Sequence, residues 1–195
     1  MDQPHDNGND SSTKIHRLEE AIEFETKIID SNPDDTQAIF RRGVLYGQLI
    51  QPLLAIEDFS MVTHLEPDNA DAYYNRGMAH VHLKQLSLAI EDFTKTVELE
   101  PTHVHAVNNR AMAHYEAFQF HRAIEDAEQV LLIDPCLASA YAVRAMARAR
   151  LGDDEAARDD TAQAVELGFD GRVLGALLTQ ARMGRKDREP PNKKL

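Results

Sequence analysis

The sequence has no tryptophan and one cysteine, Cys136. A lone thiol cannot close an intrachain disulfide, so packing alone must hold the fold. Glycine and proline together number only 17 of 195 residues, while Ala, Leu, Glu, Arg and Gln are frequent. That balance favours helix. No apolar run approaches the roughly 18 residues of a membrane-crossing helix. The first residues, MDQPHDNGNDSST, are polar and acidic and lack the basic flank and apolar stretch of a secretory signal. The chain therefore reads as cytoplasmic, with no membrane partner. Positive charge is also scarce: 21 basic against 33 acidic side chains leave a formal charge of −12. Affinity for a polyphosphate rests on clustered Lys and Arg, so a nucleic-acid partner is not expected. The exception is the end of the chain. There Arg182, Arg185, Lys186, Arg188, Lys193 and Lys194 against Asp187 and Glu189 give +4, leaving about −16 on the body. A short basic stretch of this kind reads as a solvated tail.

What the sequence does contain is a period. Pro33, Pro67, Pro101 and Pro135 recur every 34 residues, each closing an apolar-periodic run. With this proline as position 32, repeats begin at Thr36, Ala70, Val104 and Ala138. Position 3 is then Ala38, Ala72, Ala106 and Ala140, and position 20 is Ala55, Ala89, Ala123 and Ala157. Position 8 is Gly43, Gly77, Ala111 and Ala145, and position 24 is Phe59, Phe93, Ala127 and Thr161. Small residues at 8 and 20 let two helices approach closely, with the larger column at 24 filling the space beside them.

These columns resemble the tetratricopeptide repeat. In repeat one the match runs Ile39, Gly43, Tyr46, Ala55, Phe59 and Pro67; in repeat two, Tyr73, Gly77, Ala89, Phe93 and Pro101. Repeats three and four carry Ala at position 8, and repeat four has Phe169 where proline is expected. The resemblance implies an all-α, right-handed superhelical solenoid of antiparallel helix pairs with a concave peptide-binding face. About ten helices are expected: a half repeat over 12–35, repeats over 36–69, 70–103, 104–137 and 138–171, and a capping helix over 172–183. Ser11 or Ser12 is available to cap the first and Asp170 the last. Residues 1–11 and the basic segment 184–195 read as disordered, and turns are expected near 50–52, 84–86, 118–120 and 151–153.

Positions 2, 5, 9 and 12 share one face of each first helix, the face that in this family lines the groove. Position 9 reads Val44, Met78, Met112 and Met146; position 5 reads Phe40, Tyr74, Asn108 and Ala142; position 12 reads Gly47, Val81, Tyr115 and Ala149. Flexible, polarizable methionine beside aromatics suits a surface that moulds around an apolar peptide; the competing reading is packed core. Asn75 and Asn109 at position 6 can bond a peptide backbone, and His82 and His105 lie on or near the same face. His80 and His114, at position 11, read as packing residues. The spacing of the histidines suits no tetrahedral metal set, and neither a metal nor another cofactor is expected.

A further pair of columns is charged. Position 7 is Arg42, Arg76, Arg110 and Arg144; position 23 is Asp58, Asp92, Asp126 and Asp160. Antiparallel pairing brings 7 and 23 nearly level, which predicts a structural Arg–Asp ladder; the alternative is an arginine track for an acidic ligand. A subset of the family grips chaperone C-termini through a defined Lys/Asn/Arg set. The corresponding residues here are Phe40, Val44, Asn75, His105 and Asn109, and only Asn75 matches. No phosphate loop or positioned nucleophile appears, so no enzyme activity is expected. The expected function is a protein-binding adaptor or scaffold. Its partner would be a protein or peptide with apolar anchors and, given Asp71 and Glu116 at the groove margins, some positive charge. The alternative is a self-assembly module forming dimers or filaments by solenoid stacking, with weak self-association.

Overall fold

A computed structural model describes residues 7–186, all of whose regular secondary structure is α-helical. The helices are α1 (Asn7–Ser31), α2 (Thr36–Gln48), α3 (Pro52–Leu65), α4 (Ala70–His82), α5 (Leu86–Leu99), α6 (Val104–Glu116), α7 (Phe120–Ile133), α8 (Ala138–Leu151), α9 (Asp154–Glu166) and α10 (Gly171–Lys186). They form two compact bodies, Met1–Lys95 and Thr96–Leu195, whose boundary falls inside α5. In the N-terminal body α2 packs between α1 and α3, and α4 packs on α3; in the C-terminal body α6, α7, α8 and α9 pack successively and α10 lies on α8.

Local chemistry sets the helix ends. At repeat position 34, Asp35 and Asn69 accept the backbone N–H of Ala38 and Ala72 through side-chain oxygens, both at 2.9 Å; His103 accepts that of Ala106 through Nδ1 at 3.0 Å. Each supplies an N-cap to the first helix of a repeat. In the fourth, Leu137 makes no such side-chain bond. The turn within each repeat needs a left-handed residue at position 15: Ile50 (φ 56°), Lys84 (φ 57°), Phe118 (φ 61°) and Gly152 (φ 95°). Only the fourth repeat uses the residue that adopts this conformation without penalty. Pro52 then opens α3 at its first turn, where a missing N–H costs nothing.

Close approach within a repeat is decided at positions 8 and 24. A Cβ built on Gly43 would lie 2.9 Å from Phe59 Cε1, and one on Gly77 2.8 Å from Phe93 Cε1. Phe59 and Phe93 are buried, at 2% and 0% exposure. Glycine therefore accompanies phenylalanine, while in repeats three and four alanine at 8 faces Ala127 and Thr161. A methyl at position 8 is thus tolerated where position 24 is small and excluded where it carries a phenyl ring.

Two ends differ from expectation. Helix α1 begins at Asn7 and runs through Ser11 and Ser12, so neither serine is its N-cap; no proline lies between Pro4 and Pro33 to stop it earlier. Helix α10 continues to Lys186, three residues beyond the expected Met183 and into the segment read as a tail. Asp170 caps it, accepting from Arg172 N at 2.8 Å and Val173 N at 3.2 Å. Residues 1–6 and 187–195, both read as disordered from sequence, lie outside the described residues.

Helix α1, with 25 residues, is almost twice as long as the 13-residue α2. Arg41 bonds Glu25 and Arg42 bonds Thr26, which fixes the antiparallel register. The α1 residues before about 19 therefore extend past the end of α2, and 11–17 are all exposed.

Candidate functional site

Helices α2 and α4 run side by side because each packs on α3, and between them lies an open cavity of about 300 Å³. Its wall is apolar: Val44, Ile50, Pro52, Phe59, Tyr74 and Met78. Polar groups are few, with Gln48, Asn75 and His82 among them. Gly47 leaves the cavity open, since a Cβ built there meets nothing within 4 Å. A second depression of about 320 Å³ continues along the same two helices, lined by Thr36, Gln37, Phe40, Arg41, Glu66, Asn69 and Asp71. Phe40 and Tyr74 are half-buried and anchored from beneath, with ring centroids 5.5 Å from Phe59 and 5.9 Å from Phe93 respectively.

Five of the residues expected on the groove face thus meet in one cavity: Val44, Tyr74, Asn75, Met78 and His82. Phe40 lines the adjoining depression. Asn75 Nδ2 donates to the Asp71 carbonyl at 2.8 Å. The remaining expected residues belong to the C-terminal body. His105 is exposed there, and Asn108 and Asn109 are half-buried, with Ser139 Oγ donating to Asn108 Oδ1 at 3.3 Å. Met112 and Tyr115 pack against the core cluster, and Tyr115 lies 5.7 Å from Phe120. Met146 departs from expectation: it is 2% exposed, within the core that includes Leu174 and Leu178 of α10. The capping helix covers it, so Met146 is a packing residue. Ile50 and Pro52 carry no signal on the helix face, because they come from the turn and the start of α3.

The charged columns form pairs in all four repeats. Arg42, Arg76 and Arg110 each donate through Nε and Nη2 to the two oxygens of Asp58, Asp92 and Asp126, at 2.6–2.9 Å. Arg144 holds Asp160 at 2.7–3.2 Å. The aspartates are buried. Arg76 also reaches back to the preceding second helix, donating to Thr63 Oγ1 at 3.0 Å and Ser60 Oγ at 3.3 Å. Each guanidinium thus ties two neighbouring elements through its planar fork. A third column joins them. His80 and His114 place Nδ1 2.7 Å from Gln85 and Gln119 Oε1, and Nε2 3.8 and 3.7 Å from Asp92 and Asp126; Arg148 takes that place in repeat four, donating to Asp160 at 2.9 Å. Burial lowers the His114 pKa from the usual histidine value, against the pull of Gln119 and Asp126.

Among the described residues no three metal-ligating side chains converge, and no helix is long and apolar enough to cross a membrane. The sequence over residues 70–103 matches the tetratricopeptide repeat model. Comparison with curated proteins gives no match. Among solved structures, the chain is similar to MamA at 23% identity and a TM-score of 0.76, over 85% of this chain and 96% of that one. MamA residues 41 to the end from Desulfovibrio magneticus RS-1 align at 22% identity and a TM-score of 0.74, over 82% and 91%. YrrB, described as a TPR protein with an unusual peptide-binding site, aligns at 22% identity and 0.74, over 88% and 86%. At such identities the likeness is one of fold. Residues 70–103 thus match a tetratricopeptide repeat in sequence, and the described residues share the fold of these solved structures.

Proposed function

We propose that the chain is a non-catalytic protein-interaction module that holds a segment of another polypeptide along α2 and α4. The apolar cavity carries this reading, because most of its lining is apolar, is held on α2, α3 and α4, and is left open by Gly47. The peptide-binding site ascribed to YrrB supports the idea that this fold can serve such a role. The test is hydrogen exchange on the full chain, with and without peptides selected from a random dodecapeptide library. Protection concentrated on residues 36–48 and 70–82 is expected; protection elsewhere, with these helices unchanged, refutes the site.

A second reading, self-assembly, rests on the N-terminal end. The part of α1 beyond α2 exposes Ile15 at 48%, and Phe24 is 62% exposed on the same helix. Apolar groups on an end helix suit association with another copy. Light scattering over a wide concentration range decides: a rising mass abolished by Ile15→Glu with Phe24→Glu supports assembly, and a constant monomer mass excludes it.

A further inference from the structure

The two depressions between α2 and α4 differ in chemistry, and that difference specifies the partner. The first accepts an apolar group and the second is negatively charged. In the second, the Arg41 guanidinium is already committed to both oxygens of Glu25, at 2.8 and 2.9 Å. Glu66 accepts from Thr36 Oγ1 and, at 2.7 Å, from Asn69 Nδ2. Those hydrogen bonds favour its ionised form. Asp71 is exposed, in the first turn of α4, and among the described residues its carboxylate has no partner. The only cation lining this depression is thus neutralised from outside, while two carboxylates remain on it.

Geometry sets the spacing. The cavity is bounded on α2 by residues 43–48 and the charged depression by 36–41, so their centres lie about seven residues apart. At ~1.5 Å per helical residue that is roughly 10 Å. A segment in the extended polyproline-II conformation advances ~3.1 Å per residue with three residues per turn, so side chains three residues apart share one face and span roughly that distance. The cavity volume is at the small end of the ~300–1,000 Å³ range of ligand sites, room for one large side chain. We infer that the partner is an extended segment with one bulky apolar residue seated beside Gly47 and a lysine or arginine about three residues away against Asp71 and Glu66. This rests on the peptide-holding reading above and adds the ligand's chemistry to it.

The probes are 12-residue peptides in a Ser/Gln/Ala background, each with one Trp and, three residues away on either side, Lys, Gln or Glu. Binding to the full chain is read by fluorescence anisotropy. The Lys peptide is expected to bind best and the Glu peptide worst, with about fivefold between neighbours in the series, the scale of a part-exposed ion pair. Asp71→Lys should invert the order. Gly47→Leu, which fills the cavity from a position with nothing nearby, should keep the helical spectrum and weaken every Trp peptide by about thirtyfold. Loss on Gly47→Leu with no charge preference overturns the cation and leaves the cavity reading standing. Binding that survives Gly47→Leu in a folded protein overturns both. Trp peptides that fail to bind, while library-selected peptides still protect α2 and α4, overturn the inference alone.

Discussion

Gly77 and Phe93 should behave as one unit in stability. A methyl group on Gly77 would sit 2.8 and 3.0 Å from Phe93 Cε1 and Cδ1, and 3.2 Å from Asp92 Cβ. Overpacking of this kind costs about 1–3 kcal/mol. Alanine in place of glycine within a helix returns about 1 kcal/mol, so Gly77→Ala should destabilise by about 1 kcal/mol net. Phe93 is fully buried, and Phe93→Ala should cost about 3–5 kcal/mol through lost transfer energy and the cavity left behind. The double variant recreates the pair that repeat three carries naturally, Ala111 with Ala127. With the ring gone the methyl no longer clashes, occupies part of the void and keeps its helical advantage. The double variant should therefore be more stable than Phe93→Ala alone by about 1 kcal/mol, a coupling of about 2 kcal/mol. Urea denaturation of the four proteins, with m-values checked for constancy, measures it. Additivity within about 0.5 kcal/mol, or a Gly77→Ala variant stabilised by the full helical increment, would refute the close-packing argument.

Other perturbations test the charged columns and the turns. Arg76→Ala leaves Asp92 buried without its bidentate partner and should cost about 3 kcal/mol, the low end for breaking a buried pair. Lys27→Ala, which removes an exposed pair with Glu23, should leave the midpoint of the same denaturation assay essentially unchanged. Equal effects would mean the Arg76 pair is solvated. Ile50→Gly should raise the unfolding midpoint by about 1 kcal/mol equivalent, since a β-branched residue at φ 56° is strained and Ile50 is 75% exposed; a loss would show that packing of Ile50 outweighs the strain. His114 has a folded-state pKa below its unfolded value. Its contribution is therefore present above the ordinary histidine value and lost as pH falls through the depressed one. Midpoints at pH 7.5 and 5.5 should show a smaller acid-induced loss in His114→Gln than in wild type; an equal loss refutes the assignment.

Much of the fold was legible because its determinants are local and periodic. A 34-residue recurrence of proline, alanine and small residues names the helix pairs, since each repeat places the same groups against the same neighbours. The Arg–Asp register follows from the same arithmetic. The glycine at 8 and phenylalanine at 24 are likewise readable as columns, although the exclusion of a methyl at 8 is visible only once Phe59 and Phe93 are seen against the backbone. Gly152 marks its own turn, whereas Ile50, Lys84 and Phe118 adopt the same left-handed conformation with no sequence signal, in turns closed by the N–H groups of Gln51, Gln85 and Gln119 bonding back to Tyr46, His80 and His114 carbonyls.

What the sequence alone determined is therefore the helical class, the period, the pairing of positions 7 with 23 and the face on which Val44, Tyr74 and Met78 lie. What only the tertiary structure decided is which members of those columns stay open. Met78 borders a cavity because Gly47 opposite lacks a side chain, while Met146, in the same column, is buried with Leu174 and Leu178 of α10. Likewise Arg41 and Asp71 are both charged in sequence, yet Glu25 of α1 engages the first and leaves the second without a partner among the described residues. A column fixes the direction of a side chain from its own helix; exposure depends on neighbouring elements, which do not repeat at the ends of the array.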